Sequence, residues 1–179
     1  MQTSKPSRPC SRIPSSRGAR ITHFWVTLSV IVVEWTRKQL TDDDRRWLRD
    51  LSYVRTVEDF TLVHATLESP QRWGFVFDKL AADASFNHQE TPICFFGHTH
   101  VPVAFVRDSM VRGGTYTTIR IEKDKQYFVN VGAVGQPRDK NPKAAYVIYN
   151  MSERTIELRR VAYDIEKARR KIQDAGLEP

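Results

Sequence analysis

Three of the chain's five histidines stand directly after short apolar runs. His64 closes Phe60-Thr61-Leu62-Val63, and His98 and His100 follow Ile93-Cys94-Phe95-Phe96-Gly97. Neutral imidazole is the commonest side-chain ligand for zinc and its neighbours, and a ligand at the carboxyl end of a strand is held rigidly while staying open to solvent. In a regular strand His98 and His100 would share a face. Gly97 is expected to turn the chain so that the two rings approach different ions. One such histidine alone reads as an ordinary hydrogen-bonded residue; three at strand ends, two of them in Gly-His-x-His, favour a metal site. His23, in the doubtful apolar segment near the start, and His88, in a polar loop, keep the ordinary reading. Arg138 follows the Gly132-Ala133-Val134-Gly135 turn, whose N–H groups could face an anion, and reads either as a phosphate contact or as an exposed structural arginine. Cys94 reads as packed rather than reactive, and Trp73 and Phe75, close enough to His64 to line a pocket, read as core.

The elements that must position these residues follow from pattern. Thr41 and the carboxylates of Asp42, Asp43 and Asp44 mark a helix start, with the helix running to about Asp50 and burying Trp47, Leu48 and Leu51. Phe60 to Val63 is a strand, Ser69-Pro70 begins a turn carrying Trp73, and Asp78 to Ala84 is a short helix. Ile93 to Phe96 suits a strand covered on both faces. Strands then follow at Val103 to Arg107, Tyr116 to Glu122, Tyr127 to Val131, Ala144 to Tyr149 and Thr155 to Val161. Polar turns at Lys123 to Gln126 and Asn150 to Arg154 predict antiparallel hairpins. A last helix from Asp164 to Ala175 is expected to pack Ile165, Ala168 and Ile172, to pair Glu166 with Arg170, and to stop at Gly176.

With 179 residues, 40% hydrophobic and 27% charged, the composition is that of a globular chain with room for one domain. Five of its 28 basic residues (Lys5, Arg8, Arg12, Arg17 and Arg20) fall in the first twenty positions with no acid among them, leaving 23 against 21 acidic residues elsewhere. The body is therefore nearly neutral and offers no basic stripe for a nucleic-acid duplex. The apolar run Ile21 to Val33 is shorter than the ~20 residues of a spanning helix. Behind a basic tail it imitates an export signal, but Glu34-Trp35-Thr36-Arg37 follows where a small-residue cleavage site would stand. Two cysteines in unlike contexts suggest no disulfide framework, and a cytoplasmic setting is the expectation. The chain divides at this stage into residues 1–33, a divergent basic tail with its apolar segment, and a domain over 34–179.

Val63-His64-Ala65, Gly97-His98-Thr99-His100 and Asn130-Val131-Gly132-Ala133-Val134-Gly135-Gln136-Pro137-Arg138, in this order and spacing, resemble the carboxyl-terminal half of the calcineurin-like metallophosphoesterases of compact bacterial type. The resemblance covers about Glu34 to Leu177. It implies an α/β (or α+β) fold, part of a four-layer αββα sandwich with two mixed sheets face to face. It also implies two divalent ions (Mn, Zn, Fe or Mg) at one rim, with His64 and His98 on one ion and His100 on the other. The family's Asp-x-His, Gly-Asp and Gly-Asn-His motifs do not occur in this sequence. Without a bridging carboxylate two close cations repel, so at most one weakly held ion is expected, on a truncated chain inactive alone.

Three functional readings follow. The first is a metal-dependent phosphoesterase lineage acting on a phosphomonoester or phosphodiester of unspecified identity. The second is a non-catalytic binding module that keeps the sheet; a third reading holds the chain at a membrane surface by residues 1–33. Uncovered strands around Phe60, Leu62, Phe95 and Phe96 predict self-association or a partner supplying the missing half.

Overall fold

The computed structural model describes residues 30–177; the basic tail, most of the Ile21 to Val33 run, His23 and Cys10 lie outside the described residues. Leu51–Ile165 forms one compact unit, and the described residues flanking it on both sides belong to a second. The elements are helical residues 30–39 (α1), α2 (Asp42–Arg49), β1 (Val54–Val57), β2 (Phe60–Val63), a 3-10 turn (Pro70–Arg72), α3 (Lys79–Phe86), β3 (Ile93–Phe96) and β4 (Ala104–Arg107). They continue with β5 (Val111–Gly114), β6 (Thr118–Arg120), β7 (Gln126–Asn130), β8 (Ala144–Asn150), β9 (Thr155–Val161) and α4 (Ile165–Asp174). Among the described residues no helix is long and apolar enough to cross a membrane.

The larger unit holds two sheets. One has six strands in the order β1-β2-β3-β7-β4-β5, the other three in the order β6-β9-β8. The central strands β2, β3 and β7 run parallel. A parallel pair needs a crossover, and α3 lies on the one between β2 and β3. Alternation along β3 and β7 then sorts the core into two layers. Ile93, Phe95, Tyr127 and Val129 pack with Ile121 and Ile156 of the three-stranded side. Cys94, Phe96 and Phe128 pack with Val63, Val76, Ala82 and Phe86 on the α3 side. The result is three layers, helix, sheet, sheet, which is the mixed α/β architecture expected, and β3 is buried at every position.

Helix α3 forms because Asp78 caps it, accepting from the Ala81 N–H at 2.9 Å, and because Ala82 and Phe86 fall on one face, one turn apart. Burying Phe86 stabilises the fold by roughly 1.5–3 kcal/mol. Arg107 holds its far end, donating to the Phe86 carbonyl at 2.6 Å with its guanidinium 4.9 Å from that ring's centre.

Several expectations change. The stretch Lys123 to Gln126 is no hairpin, because β6 pairs with β9 and β7 with β3 and β4, so the chain passes there from one sheet to the other. The hairpin at Asn150 to Arg154 is present. Helix α2 has its expected start, a Thr41–Asp44 capping box, yet Trp47, Leu48 and Leu51 are exposed. Its local ion pairs, Arg45 with Asp42 and Arg46 with Asp43, replace burial. Likewise α4 buries none of its residues, and Glu166 pairs with Arg169 at 3.9 Å rather than with the Arg170 side chain, which donates to the Glu166 carbonyl. Gly176, at φ 73°, ends it in a Schellman motif with Leu177 N–H on the Ile172 carbonyl. Of the strand residues expected to lie open, Phe95 and Phe96 are buried and Phe60 packs against the inter-sheet layer, while Leu62 alone is exposed.

Cys94 sits in the middle of this core, and burial pushes its thiol pKa far up. A thiol held protonated is a poor nucleophile. Alkylation mapped by mass spectrometry should therefore find Cys94 protected under native conditions and labelled only once the fold is opened by denaturant; labelling of the native chain as fast as a free thiol would contradict this core.

Candidate metal centre

Because β2, β3 and β7 are parallel neighbours, their carboxyl ends share one rim, the end of an α/β sheet at which ligands bind. His64 follows β2, His98 and His100 follow β3, and the 131–138 loop with Gln136 and Arg138 follows β7. Topology alone thus gathers residues separated by up to 74 positions in the chain.

At that rim His98 Nδ1 lies 3.2 Å from His64 Nε2. Two nitrogens bound to one ion at about 2.0–2.1 Å are about 3.0 Å apart at a right angle and about 3.4 Å apart in a tetrahedron, so this pair fits one edge of a single ion's shell. His100 is turned differently: its Nδ1 is 2.8 Å from the Gln136 carbonyl oxygen. A carbonyl only accepts, so His100 donates from Nδ1 and, when neutral, carries its lone pair on Nε2, the arrangement that a carbonyl imposes on ligating histidines. Burial and then the charge of His100 lower the His64 pKa. Burial lowers that of His98 too, followed by the charge of His64, with His100 and Arg138 adding to it against a hydrogen bond to the Trp73 backbone. Both shifts favour the neutral ring, the form a metal needs. No group of three or more His, Cys, Asp or Glu side chains that could hold a metal occurs among the described residues. The residues present fit part of one ion's shell and lack what would bridge two.

Arg138 is close enough for its charge to act on His98; its N–H donates to the His100 carbonyl at 3.2 Å and its guanidinium to Gln136 Oε1 at 3.1 Å. It is exposed, props the loop and faces solvent beside the histidines.

Gly97 does not make the turn. Its φ is ordinary, and the left-handed positions are His98 at φ 62° and His100 at φ 60°. Such a conformation costs a non-glycine residue about 1–2 kcal/mol and persists only where its surroundings impose it. Asn130, fully buried at the end of β7, imposes it: its Nδ2 donates to the Gly97 carbonyl at 2.6 Å and to Thr99 Oγ1 at 2.9 Å, while its Oδ1 accepts from the Gly132 N–H at 2.8 Å. Tyr116, from the approach to β6, donates its hydroxyl to the Asn130 carbonyl at 2.7 Å. In the sequence Asn130 stands out only as the first residue of its motif. The signal available was an asparagine in an apolar strand, a residue that must find partners when buried.

Trp73 and Phe75, expected in the core, are exposed. The residue that enters the core from this segment is Val76, and alternation about it turns Phe75 and Phe77 outward. The Trp73 ring lies 4.5 Å from His64 and the Phe75 ring stacks 4.4 Å from His98, centre to centre.

No family model matches the chain. It is 32% identical over 161 residues to an uncharacterized protein of Methanocaldococcus jannaschii, covering 87% of this chain and 64% of that protein. Among solved structures it is similar to a metallophosphoesterase from Sphaerobacter thermophilus, at a TM-score of 0.71 and 30% identity over 80% of this chain and 62% of that one. A hypothetical protein from Pyrococcus horikoshii matches at a TM-score of 0.57 and 16% identity, over 78% of this chain and 52% of that one, a likeness of fold. The chain spans about three-fifths of the length of the first two of these relatives.

Proposed function

We propose that the chain is of the metallophosphoesterase lineage, as its likeness to the Sphaerobacter thermophilus metallophosphoesterase suggests, and that its rim of histidines is one side of a metal-dependent phosphoester-hydrolysing site. The observation that supports it most is the His64–His98 pair, two ring nitrogens 3.2 Å apart at the carboxyl ends of adjacent parallel strands. In this reading His64 and His98 hold one divalent ion (Mn, Zn, Fe or Mg), His100 offers Nε2 toward a second position, and Arg138 receives a phosphoryl oxygen of the substrate. A bound ion would supply Lewis acidity toward that phosphoryl group. The protein's own part is positional: the Gln136 carbonyl fixes the His100 tautomer, and the Asn130 amide fixes the backbone that carries His98 and His100.

The site gathers cationic and neutral donors with no third ligating group, so we propose that this chain by itself holds at most one ion, weakly, and turns over phosphoesters near background. The same observation keeps open a second reading, a binding module that retains the sheet without the chemistry.

Calorimetric titration with Zn²⁺ or Mn²⁺ tests the proposal. One ion per chain should bind, and His98→Ala, an exchange at the rim rather than in the core, should abolish binding. Two tightly held ions, or binding unchanged in His98→Ala, would show that the ligand set is different. Robust hydrolysis of an aryl phosphate, lost in His100→Ala, would sink the reading of weak activity.

A further inference from the structure

We propose that Trp73, Phe75 and Phe77 form a stacking shelf for the planar aromatic ring of a phosphoester's leaving group, beside the histidine and arginine corner. This rests on the reading of that corner as a phosphoester site.

The three rings are 49%, 53% and 67% exposed, and neighbouring apolar rings left in water are costly unless something covers them. Their arrangement says what that is. Phe77 lies parallel to Phe75 within 8°, with centres 5.4 Å apart, and Phe75 is in turn within 27° of parallel to His98, 4.4 Å away. A stair of near-parallel rings presents flat faces, which planar π systems stack on, rather than the irregular pocket an aliphatic chain fills. The stair is continuous with the site, since its upper step is the His98 ring and Trp73 stands edge-on to that ring at 5.7 Å. It is also fixed in place: Val76, between Phe75 and Phe77, is anchored in the core, and the Thr66 methyl lies where a Cβ on Gly74 would touch it at 3.1 Å. Charge completes the match. The Arg138 guanidinium beside the histidines favours an anion at the top of the stair, and the rings below favour a planar group attached to it. A nucleoside phosphate and an aryl phosphate share that chemistry, differing in whether a sugar separates ring from phosphorus.

Chemical-shift titration of the metal-free chain tests the shelf without reference to turnover. Adenosine monophosphate, phenyl phosphate, ribose 5-phosphate and adenosine are the probes. At least one of the two ring-bearing phosphates should bind about fivefold or more tighter than ribose 5-phosphate, the measure of one stacked ring, and which one does so identifies the source. Phe75→Ala should erase that preference and leave ribose 5-phosphate binding unchanged. Because Phe75 is exposed, its removal leaves the core intact. Equal affinity for all three phosphates, or a preference that survives Phe75→Ala, overturns the shelf. Adenosine binding that depends on Phe75, with no phosphate effect and none from Arg138→Ala, upholds the shelf and overturns the phosphoester reading of the corner. Absence of binding by every probe overturns both.

Discussion

Asn130→Ala is expected to lower the unfolding free energy by about 3–5 kcal/mol, because it removes hydrogen bonds from three partners, two at about 0.5–1.5 kcal/mol each and the third, a buried N–H left with no other acceptor, at about 1–3 kcal/mol. Those partners are the Gly97 carbonyl, the Thr99 hydroxyl and the Gly132 N–H. This is a large share of the 5–15 kcal/mol typical of a domain, and urea denaturation would measure it. The loss should also reach the metal corner, since His98 and His100 hold left-handed backbone only while Asn130 ties down the residues between and before them. A variant that empties core volume elsewhere on the same strand, Val129→Ala, separates the two effects: it should lose stability yet keep the affinity for Zn²⁺ that Asn130→Ala forfeits. Asn130→Asp adds a sign. Its second oxygen would face the Gly97 carbonyl with no proton to give, so burial raises the folded-state carboxyl pKa above its unfolded value. The folded state then binds more protons, and the penalty should shrink as pH falls from neutral through the acidic range. Metal affinity that tracks stability equally in Asn130→Ala and Val129→Ala would reduce Asn130 to an ordinary core residue.

The metal corner was legible because ligand chemistry and strand ends are both local in sequence. Val63-His64 and Phe96-Gly97-His98 announce themselves, and two parallel strands bring them to one rim without further information. What joined them was not local. The partners of Asn130, Gly97 and Thr99, lie more than thirty residues away, and no pattern around position 130 names them. Strand β5 was missed for a similar reason. Gly113 and Gly114 read as strand breakers, whereas a Cβ on Gly113 would stand 2.5 Å from Phe105 Cδ1, so the glycine is what lets β5 lie against the β4 aromatic ring. The capping residues of α2 and the apolar stripe of α4 identified helices correctly but not burial, since neither states what covers the apolar face. The aromatic segment after His64 failed through the same gap: Trp-Gly-Phe-Val-Phe is hydrophobic throughout, and only the packing of Val76 decides that its neighbours face out.

Gly132→Ala should cost the fold about 2–5 kcal/mol. The residue sits at φ 80°, where an L side chain costs about 1–2 kcal/mol. A Cβ there would also stand 2.7 Å from Ala145 Cβ and 2.8 Å from Pro102 Cγ, and relieving such overpacking costs about 1–3 kcal/mol more. Neither neighbour can step aside as the end of a flexible chain would. Ala145 is held in β8 with its N–H donating to the Ala133 carbonyl at 2.8 Å, and Pro102 is a ring. The backbone of residues 132–133 must therefore move, and it carries the loop that reaches Gln136 and Arg138, so the Gln136 carbonyl should leave His100 and ribose 5-phosphate binding should weaken with it. Gly135→Ala is the matched control: it lies in the same loop with an ordinary φ and open space at its Cβ, and should change stability by less than about 0.5 kcal/mol. Adding Ala145→Gly to Gly132→Ala removes one of the two clashes and leaves the φ strain and Pro102. Its coupling with Gly132→Ala should be favourable by about 0.5–2 kcal/mol without restoring the original stability. Additive losses from the two substitutions would mean that the close approach to Ala145 is not what makes glycine necessary at position 132.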